Sequence, residues 1–222
     1  MKIARYIDHA VLKPAMTPEE VRSAIQLGID NDVYSVCVQP RDIHMALKMC
    51  EGTNTLVSCV LDFPHGCGGA AAKREAARLY AEMGVREIDM VMNYGAARGG
   101  DWAAVREEID AVVEEAHARG VLVKVIFETC ELDEASIRAG VDACVDAGAD
   151  FVKTSTGFAA KGATPEAVRA MLSQSAGRIR VNASGGIRTI NDARGYVEMG
   201  VERLGVGFST TPALVAADEE SK

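Results

Sequence analysis

Residues 121–155 read VLVKVIFETCELDEASIRAGVDACVDAGADFVKTS and contain a complete strand–helix–strand unit. An apolar β-type run over 121–127 is followed by a loop, and an alanine-rich amphipathic stretch over 133–147 ends at Gly148. Asp133 is a helix-start signal, and glycine commonly ends a helix. This order indicates two parallel strands joined by a crossover helix.

The same alternation continues through the chain. The other β-type runs are at 34–38, 56–63, 87–92, 151–156, 179–183 and 203–206, with a short first strand at Tyr6-Ile7-Asp8. The other helical patterns are at 17–29, 41–50, 68–84, 101–119, 164–176 and 189–199. Near-continuously apolar strands that alternate with helices are typical of a parallel sheet covered on both faces. The pattern predicts a single α/β domain over residues 1–222, a (β/α)8 TIM barrel, since the competing open doubly wound sheet lacks an early G-x-G-x-x-G turn.

The bulk composition excludes several classes of protein. No apolar run approaches the roughly 20 residues of a membrane span, and the N-terminal MKIARYID is too polar and too short for a secretory signal. The net charge of −8 argues against a nucleic-acid-binding surface. It does not exclude a local basic patch that binds a small anion. The six cysteines are scattered without ligand spacing, so we expect reduced cysteines and no metal site. The sequence thus predicts a cytoplasmic protein without nucleic-acid or membrane partners.

Four polar residues interrupt strands that should be apolar. They are Asp89, Lys124, Lys153 and Asn182. Period-two alternation allows all of them to face the barrel lumen, near the C-terminal strand ends where catalytic groups of this fold lie. A structural ion pair of Asp89 with either lysine is the alternative, but it does not explain why two lysines share a small interior.

Two buried lysines indicate amine chemistry. An ordinary lysine with a pKa of about 10.4 is almost wholly protonated at neutral pH, and both desolvation and a neighbouring cation lower that pKa. We therefore expect Lys124 to activate Lys153 for attack on a carbonyl, which forms a Schiff base that stabilises an enamine. Asp89 is placed to relay protons to and from the substrate through water.

Glycine-rich loops follow the last two strands and predict an anion site. Their sequences are Ser184-Gly185-Gly186-Ile187-Arg188-Thr189 and Gly205-Val206-Gly207-Phe208-Ser209-Thr210. Phosphate sites in barrels commonly use these two loops, where backbone N–H groups can approach a ligand. The predicted substrate-binding residues are Gly185, Gly186, Gly205, Gly207 and Ser209, with Gly157 from the loop after the sixth strand.

A few other residues receive weaker interpretations. We expect His9 to be structural or on the surface, and His65 is a candidate for the rim of the site. Cys37 is expected in a strand, where it can line the pocket without a chemical role. The tail Asp218-Glu-Glu-Ser-Lys222 is expected to be solvated and frayed.

Several ordered motifs resemble those of one enzyme family. They are Ile7-Asp-His-Ala-Val-Leu-Lys13, Ser35-Val-Cys-Val-Gln-Pro-Arg41, Phe63-Pro-His-Gly66, Glu87-Ile-Asp-Met-Val91, Lys124-Val-Ile-Phe-Glu-Thr-Cys130, Phe151-Val-Lys-Thr-Ser-Thr-Gly-Phe158 and Ala183-Ser-Gly-Gly-Ile-Arg-Thr189. Over nearly its whole length the chain is similar to the class I, DeoC-type deoxyribose-phosphate aldolases. The resemblance implies a Schiff base on Lys153, proton transfer by Asp89, and Asp8 and Lys124 as polar pocket residues. It also implies reversible cleavage of 2-deoxyribose 5-phosphate to glyceraldehyde 3-phosphate and acetaldehyde, without metal or other cofactor.

Two positions depart from the family pattern. Asn182 stands where the family has a second active-site lysine, and Gly207 stands where it usually has a phosphate-binding serine. Either Ser209 substitutes for that serine, or the phosphate site is weakened. One alternative is therefore a lysine aldolase for a different carbonyl compound, either non-phosphorylated or differently charged. The other is a barrel that binds sugar phosphates without turnover. A homodimer is a further hypothesis that no motif specifies.

Overall fold

The computed structural model describes residues 2–220 and shows eight parallel strands that close into one barrel in sequential order. The strands are β1 Ile7–Val11, β2 Ser35–Val38, β3 Leu56–Leu61, β4 Glu87–Val91, β5 Leu122–Ile126, β6 Phe151–Lys153, β7 Arg180–Ser184 and β8 Arg203–Gly207. The helices are α1 Pro18–Asp30, α2 Ile43–Cys50, α3 Gly69–Met83, α4 Tyr94–Arg98, α5 Trp102–His117, α6 Glu134–Ala147, α7 Pro165–Ser175, α8 Ile190–Met199 and α9 Thr211–Glu220. The predicted barrel is confirmed. Met1, Ser221 and Lys222, which the predicted domain includes, lie outside the described residues.

Local signals explain where helices begin and end. Thr17 accepts a hydrogen bond from the Glu20 backbone while the Glu20 side chain bonds back to Thr17, so this capping box starts α1. Glycine in the left-handed region ends α6 at Gly148 and α8 at Gly200. These signals fix the helix lengths, and the apolar helix faces cover the barrel.

The strand register brings the polar lumen residues to similar heights. Asp89 of β4 lies beside Lys124 of β5, and Lys153 of β6 lies beside Asn182 of β7. Around the barrel, the strands and helices share an apolar core of mostly aliphatic side chains. The register therefore places a polar cluster inside an apolar wall.

Some elements differ from the sequence-based prediction. β1 extends to Val11, and β6 ends at Lys153, after which the Thr154 hydroxyl donates to the carbonyl of Ser184 at the end of β7. The helix α4 was not predicted, although Asn93 caps it by accepting from the Ala96 amide.

The C-terminal tail corrects another expectation. α9 continues to Glu220, and Asp218 is only 3% exposed. The Asp218 carboxylate accepts from the Ile3 backbone and from Arg194, so it ties α9 to the start of the chain and to α8. The expectation of a solvated, frayed tail is therefore wrong for Asp218. Within residues 2–220, no helix combines the length and the apolar character that crossing a membrane requires.

Candidate active site

Lys153 is held at the floor of an open cavity by Asp89. Its Nζ donates to Oδ2 of Asp89 at 2.5 Å, and Lys153 is only 5% exposed while Asp89 is fully buried. β4 and β6 are separated by β5, so the two side chains meet across the lumen rather than along one ladder. The Lys153 amine therefore lines the cavity, while its carboxylate partner Asp89 is fully buried beneath it.

Lys124 lies deeper and is surrounded by carboxylates. Its Nζ lies 2.9 Å from Oδ2 of Asp8, 2.5 Å from Oε2 of Glu87 and 3.1 Å from Oδ1 of Asp89. The Lys124 side chain is fully buried. Lys124 still repels the protonated amine of Lys153, but the attraction of the carboxylates around it opposes this repulsion.

Arg203, the first residue of β8, lies at the end of this cluster that is nearest the N-terminal ends of the strands. Its guanidinium lies 3.3 Å from the centre of the Tyr34 ring, and Nη2 donates to Oε1 of Glu87 at 3.4 Å. The buried cluster therefore contains three cations, Lys124, Lys153 and Arg203, and three carboxylates, Asp8, Glu87 and Asp89. Its formal charges cancel, which makes so many buried ionic groups tolerable.

This cluster changes the expected protonation of Lys153. Burial, the largest single effect, lowers the pKa of the Lys153 amine, but the attraction of Asp89 and of other anionic groups nearby together outweighs it, so the net pKa is raised. Burial also opposes ionisation of Asp89, yet the two lysines hold the pKa of its carboxyl below the usual range. For Lys124, burial is outweighed by Asp8, Asp89 and Glu87, which raise its pKa well above normal. Burial and Lys124 thus act on Lys153 in the expected direction, but the expected net lowering of its pKa is wrong for the resting protein.

Asn182 joins the cluster as a neutral member. It is fully buried, and its Nδ2 donates to Oδ2 of Asp8 at 3.3 Å. Its Oδ1 has no hydrogen-bond partner among residues 2–220. Asn182 thus contacts the carboxylate that binds Lys124, and it adds no charge beside Lys153.

A cavity of about 410 Å³ opens above Lys153 between the loops that follow β6, β7 and β8. Its lining contains all the glycines and the serine predicted to bind substrate, which are Gly157, Gly185, Gly186, Gly205, Gly207 and Ser209. Asp8, by contrast, does not line the cavity and lies in the buried cluster. The structure therefore brings the loop residues to one cavity, while their roles stay predictions.

Two glycines of β8 have different steric surroundings. A Cβ at Gly205 would lie 2.6 Å from the Cβ of Ser184 and 3.6 Å from Cε of Lys153. A Cβ at Gly207 would meet no atom within 4 Å. Gly205 is thus required by close packing beside Lys153, whereas Gly207 leaves room for a larger residue.

Several residues near the site are not among the site residues predicted from the sequence. Glu87 shares the lumen face with Asp89, two positions away, and this alternation was an available signal. Ser155 shares a face with Lys153, lines the cavity, and has a buried Oγ without a partner in the described chain. Glu128 binds the hydroxyl and the amide of Thr156, which fixes the loop after β6.

His65 and Cys37 do not line the cavity above Lys153. His65 lines a neighbouring cavity of about 580 Å³, which is separated from the first by an edge-to-face pair of Phe63 and Phe158. Burial raises the pKa of the Cys37 thiol to about 12, so this side chain is a thiol at neutral pH. The six cysteines are all free, and His9 is buried and structural.

Comparison with known proteins now identifies the family. A model of the DeoC/LacD family aldolases matches residues 2–210. The chain belongs to this aldolase family. It is 41% identical over 205 residues to the deoxyribose-phosphate aldolase of Deinococcus radiodurans, with 92% of each chain covered. It is also 41% identical over 223 residues to that of Carboxydothermus hydrogenoformans, with 98% of this chain and 97% of the relative covered.

Solved structures agree with this family assignment. The aldolase QR15 superposes with a TM-score of 0.92 at 34% identity, covering 99% of this chain and 97% of its own. The tetrameric deoxyribose-phosphate aldolase of Aeropyrum pernix superposes with a TM-score of 0.89 at 29% identity. The match covers 99% of this chain and 92% of the Aeropyrum pernix chain. The chain is therefore a DeoC/LacD aldolase whose lumen holds Asn182 and whose β8 ends in Gly207.

Proposed function

We propose that this aldolase cleaves 2-deoxyribose 5-phosphate reversibly to glyceraldehyde 3-phosphate and acetaldehyde, through a Schiff base on Lys153. The observation that carries the proposal is the Lys153 amine, hydrogen-bonded to Asp89 at the floor of the cavity. A buried amine beside a carboxylate supports carbonyl attack followed by proton transfer. Full-length relatives named deoxyribose-phosphate aldolase support the choice of substrate.

In the proposed reaction, the neutral amine of Lys153 attacks the C1 aldehyde of the open-chain sugar. Loss of water from the carbinolamine gives an iminium, which withdraws electrons from the C2–C3 bond. Removal of the C3 hydroxyl proton breaks this bond, releases glyceraldehyde 3-phosphate and leaves an enamine on Lys153. Protonation of the enamine at C2 and hydrolysis by water release acetaldehyde and regenerate the amine. Asp89, acting through water, is the proposed proton relay.

The reaction requires neither a metal nor an organic cofactor, because the lysine itself provides the electron sink. Activity is expected to survive dialysis against a chelator. We further propose that the enzyme is cytoplasmic and self-associates. The tetrameric relative from Aeropyrum pernix supports self-association, which light scattering of the purified protein tests directly.

Reductive trapping tests the proposed function. The protein is incubated with deoxyribose 5-phosphate, reduced with borohydride and analysed by peptide mass spectrometry, while released glyceraldehyde 3-phosphate is assayed by a coupled dehydrogenase. We expect an adduct on Lys153 and no turnover by Lys153→Met. Lys48→Met, which removes a charge from the exposed face of α2, is the matched control. Absence of both adduct and cleavage contradicts the proposal.

A second candidate is an aldolase for a non-phosphorylated aldehyde, favoured by Gly207 in place of the family serine. An adduct on Lys153 that forms with free deoxyribose and not with the 5-phosphate supports this candidate. A third candidate, a sugar-phosphate-binding barrel without turnover, predicts binding but no adduct with any carbonyl compound. The buried amine of Lys153 argues against it, since simple binding does not need such a group.

A further inference from the structure

The charged side chains that line the cavity above Lys153 are all cationic. Lys13, Lys153 and Arg188 line it, and no aspartate or glutamate of residues 2–220 does. Lys153 is paired with Asp89, whereas Lys13 and Arg188 are exposed and form no ion pair within the described part of the chain. In a protein of net charge −8, two uncompensated cations at one cavity mouth indicate attraction of an anion.

Closure of the barrel brings Lys13 to this cavity. β1 pairs with β8, so Ala10 lies beside Gly207, and the Phe208 amide donates to the Ala10 carbonyl at 3.1 Å. Lys13 follows Ala10 by three residues, and its Nζ lies 5.4 Å from the centre of the Phe208 ring. A cation within about 6 Å of an aromatic centre is attracted to it. Phe208 therefore holds the Lys13 ammonium at the cavity mouth.

The loop after β7 provides donors on the other side. Among residues 2–220, no described hydrogen bond uses the N–H of Gly186 or of Ile187, and both residues line the cavity. Gly207, on the β8 side, has no side-chain hydroxyl to offer. An anion bound here thus meets amides and Arg188 on one side and the ammonium of Lys13 on the other.

We propose that Lys13, oriented by Phe208, binds the anionic group of the substrate and sets the preference of this aldolase for phosphorylated over neutral aldehydes. The inference rests on the proposed function, in which the anion is the 5-phosphate of the sugar. In this chain the Lys13 ammonium is a ligand of the anion in place of a serine hydroxyl at position 207. Phe208 is a positioning residue, because it acts only through Lys13.

Steady-state kinetics with deoxyribose 5-phosphate and free deoxyribose test the proposal. Loss of a hydrogen bond to a charged group corresponds to roughly tenfold or more in affinity. We expect Lys13→Met to raise the KM for the phosphorylated sugar roughly tenfold, with a much smaller effect on kcat. The selectivity for the phosphorylated over the free sugar falls by a similar factor, Lys13→Arg restores most of it, and Phe208→Leu gives a smaller loss in the same direction. Lys48→Met makes the same charge change on α2 and should keep the wild-type selectivity.

Binding of inorganic phosphate, measured by calorimetry, separates this inference from the proposed function. If the wild type fails to trap or cleave deoxyribose 5-phosphate but binds phosphate about tenfold more tightly than Lys13→Met, the proposed function fails and Lys13 remains an anion ligand. If the wild type cleaves the substrate and Lys13→Met has equal KM and equal phosphate affinity, the inference is overturned while the proposed function stands. Failure of the wild type to bind phosphate also overturns it.

Discussion

Asn182 donates from Nδ2 to Oδ2 of Asp8 at 3.3 Å, while Lys153, its neighbour across the register of β6 and β7, is paired with Asp89. The amide therefore stabilises the carboxylate of Asp8 without adding a charge to the lumen. A lysine at position 182 would be a fourth cation in a cluster where three cations and three carboxylates now cancel. In this chain the attraction of Asp89 raises the pKa of Lys153, and the lumen holds no uncompensated cation beside Lys153 to offset that attraction.

Asn182→Lys should make the aldolase faster at neutral pH. A neighbouring cation disfavours the protonated form of Lys153, so its pKa falls and the acidic limb of the pH profile moves to lower pH. One pKa unit corresponds to about 1.4 kcal/mol, or tenfold in neutral amine, and an added proton-transfer group can contribute roughly 10²-fold more. The measurement is kcat/KM for deoxyribose 5-phosphate as a function of pH. Asn182→Met is the neutral control, and an unchanged profile for Asn182→Lys contradicts this account of position 182.

Asp89→Asn should separate Schiff-base formation from turnover. The change removes the anion that raises the pKa of Lys153, while it leaves no carboxylate to relay protons at that position. We expect kcat to fall roughly 10²–10⁴-fold, with borohydride trapping on Lys153 still detectable after long incubation. Asp30→Asn, the same change on the exposed surface of α1, is the control. A kcat for Asp89→Asn within a few-fold of the wild-type value contradicts a role of Asp89 in proton transfer.

Gly207→Ser should strengthen binding of the phosphorylated substrate. A Cβ at this position meets no atom within 4 Å, so the added hydroxyl fits without displacing its neighbours. A new hydrogen bond to a phosphate is worth about 1 kcal/mol, which corresponds to roughly a fivefold lower KM. Gly205→Ser is the contrasting variant, because its Cβ would lie 2.6 Å from that of Ser184 beside Lys153, and we expect it to lose activity. Equal KM values for Gly207→Ser and the wild type contradict the assignment of this loop to the anion site.

The barrel and the centre of its lumen could be predicted from the sequence because both follow from local periodicity. Apolar strands interrupted at positions 89, 124, 153 and 182 already specify which side chains face inward. The structure places Asp89 in contact with both Lys124 and Lys153, in agreement with this alternation.

Features that depend on closure of the barrel could not be predicted in the same way. Arg203 reaches Glu87 from β8 across the lumen, a contact over 116 residues of chain, and no local pattern specifies that distance. The pairing of Lys13 with Phe208 likewise requires β1 to close against β8. The direction of the Lys153 pKa shift also depends on a contact across the lumen, because the attraction of Asp89 on β4 is the main cause that raises it.

His9 should make the folded protein sensitive to mild acid. The ring is buried between β1 and its covering helices, where Nε2–H donates to the Ala24 carbonyl and Nδ1 accepts from the Thr211 hydroxyl, each at 2.9 Å. Burial lowers the pKa of His9 to about 4, below the 6.5 of an unfolded histidine. Between these two values the unfolded chain binds more protons, so the free energy of unfolding falls as the pH falls from about 6.5 to about 4.

The size of this effect is set by the shift of the His9 pKa, which corresponds to about 3 kcal/mol at most. Urea unfolding of the wild type and of His9→Gln between pH 4 and 7 measures it. We expect His9→Gln to be less stable at pH 7, where the packed ring is lost, and the difference between the two proteins to shrink as the pH falls. His44→Gln, on the exposed side of α2, should follow the wild type. A difference between wild type and His9→Gln that stays constant over this range contradicts a buried neutral His9.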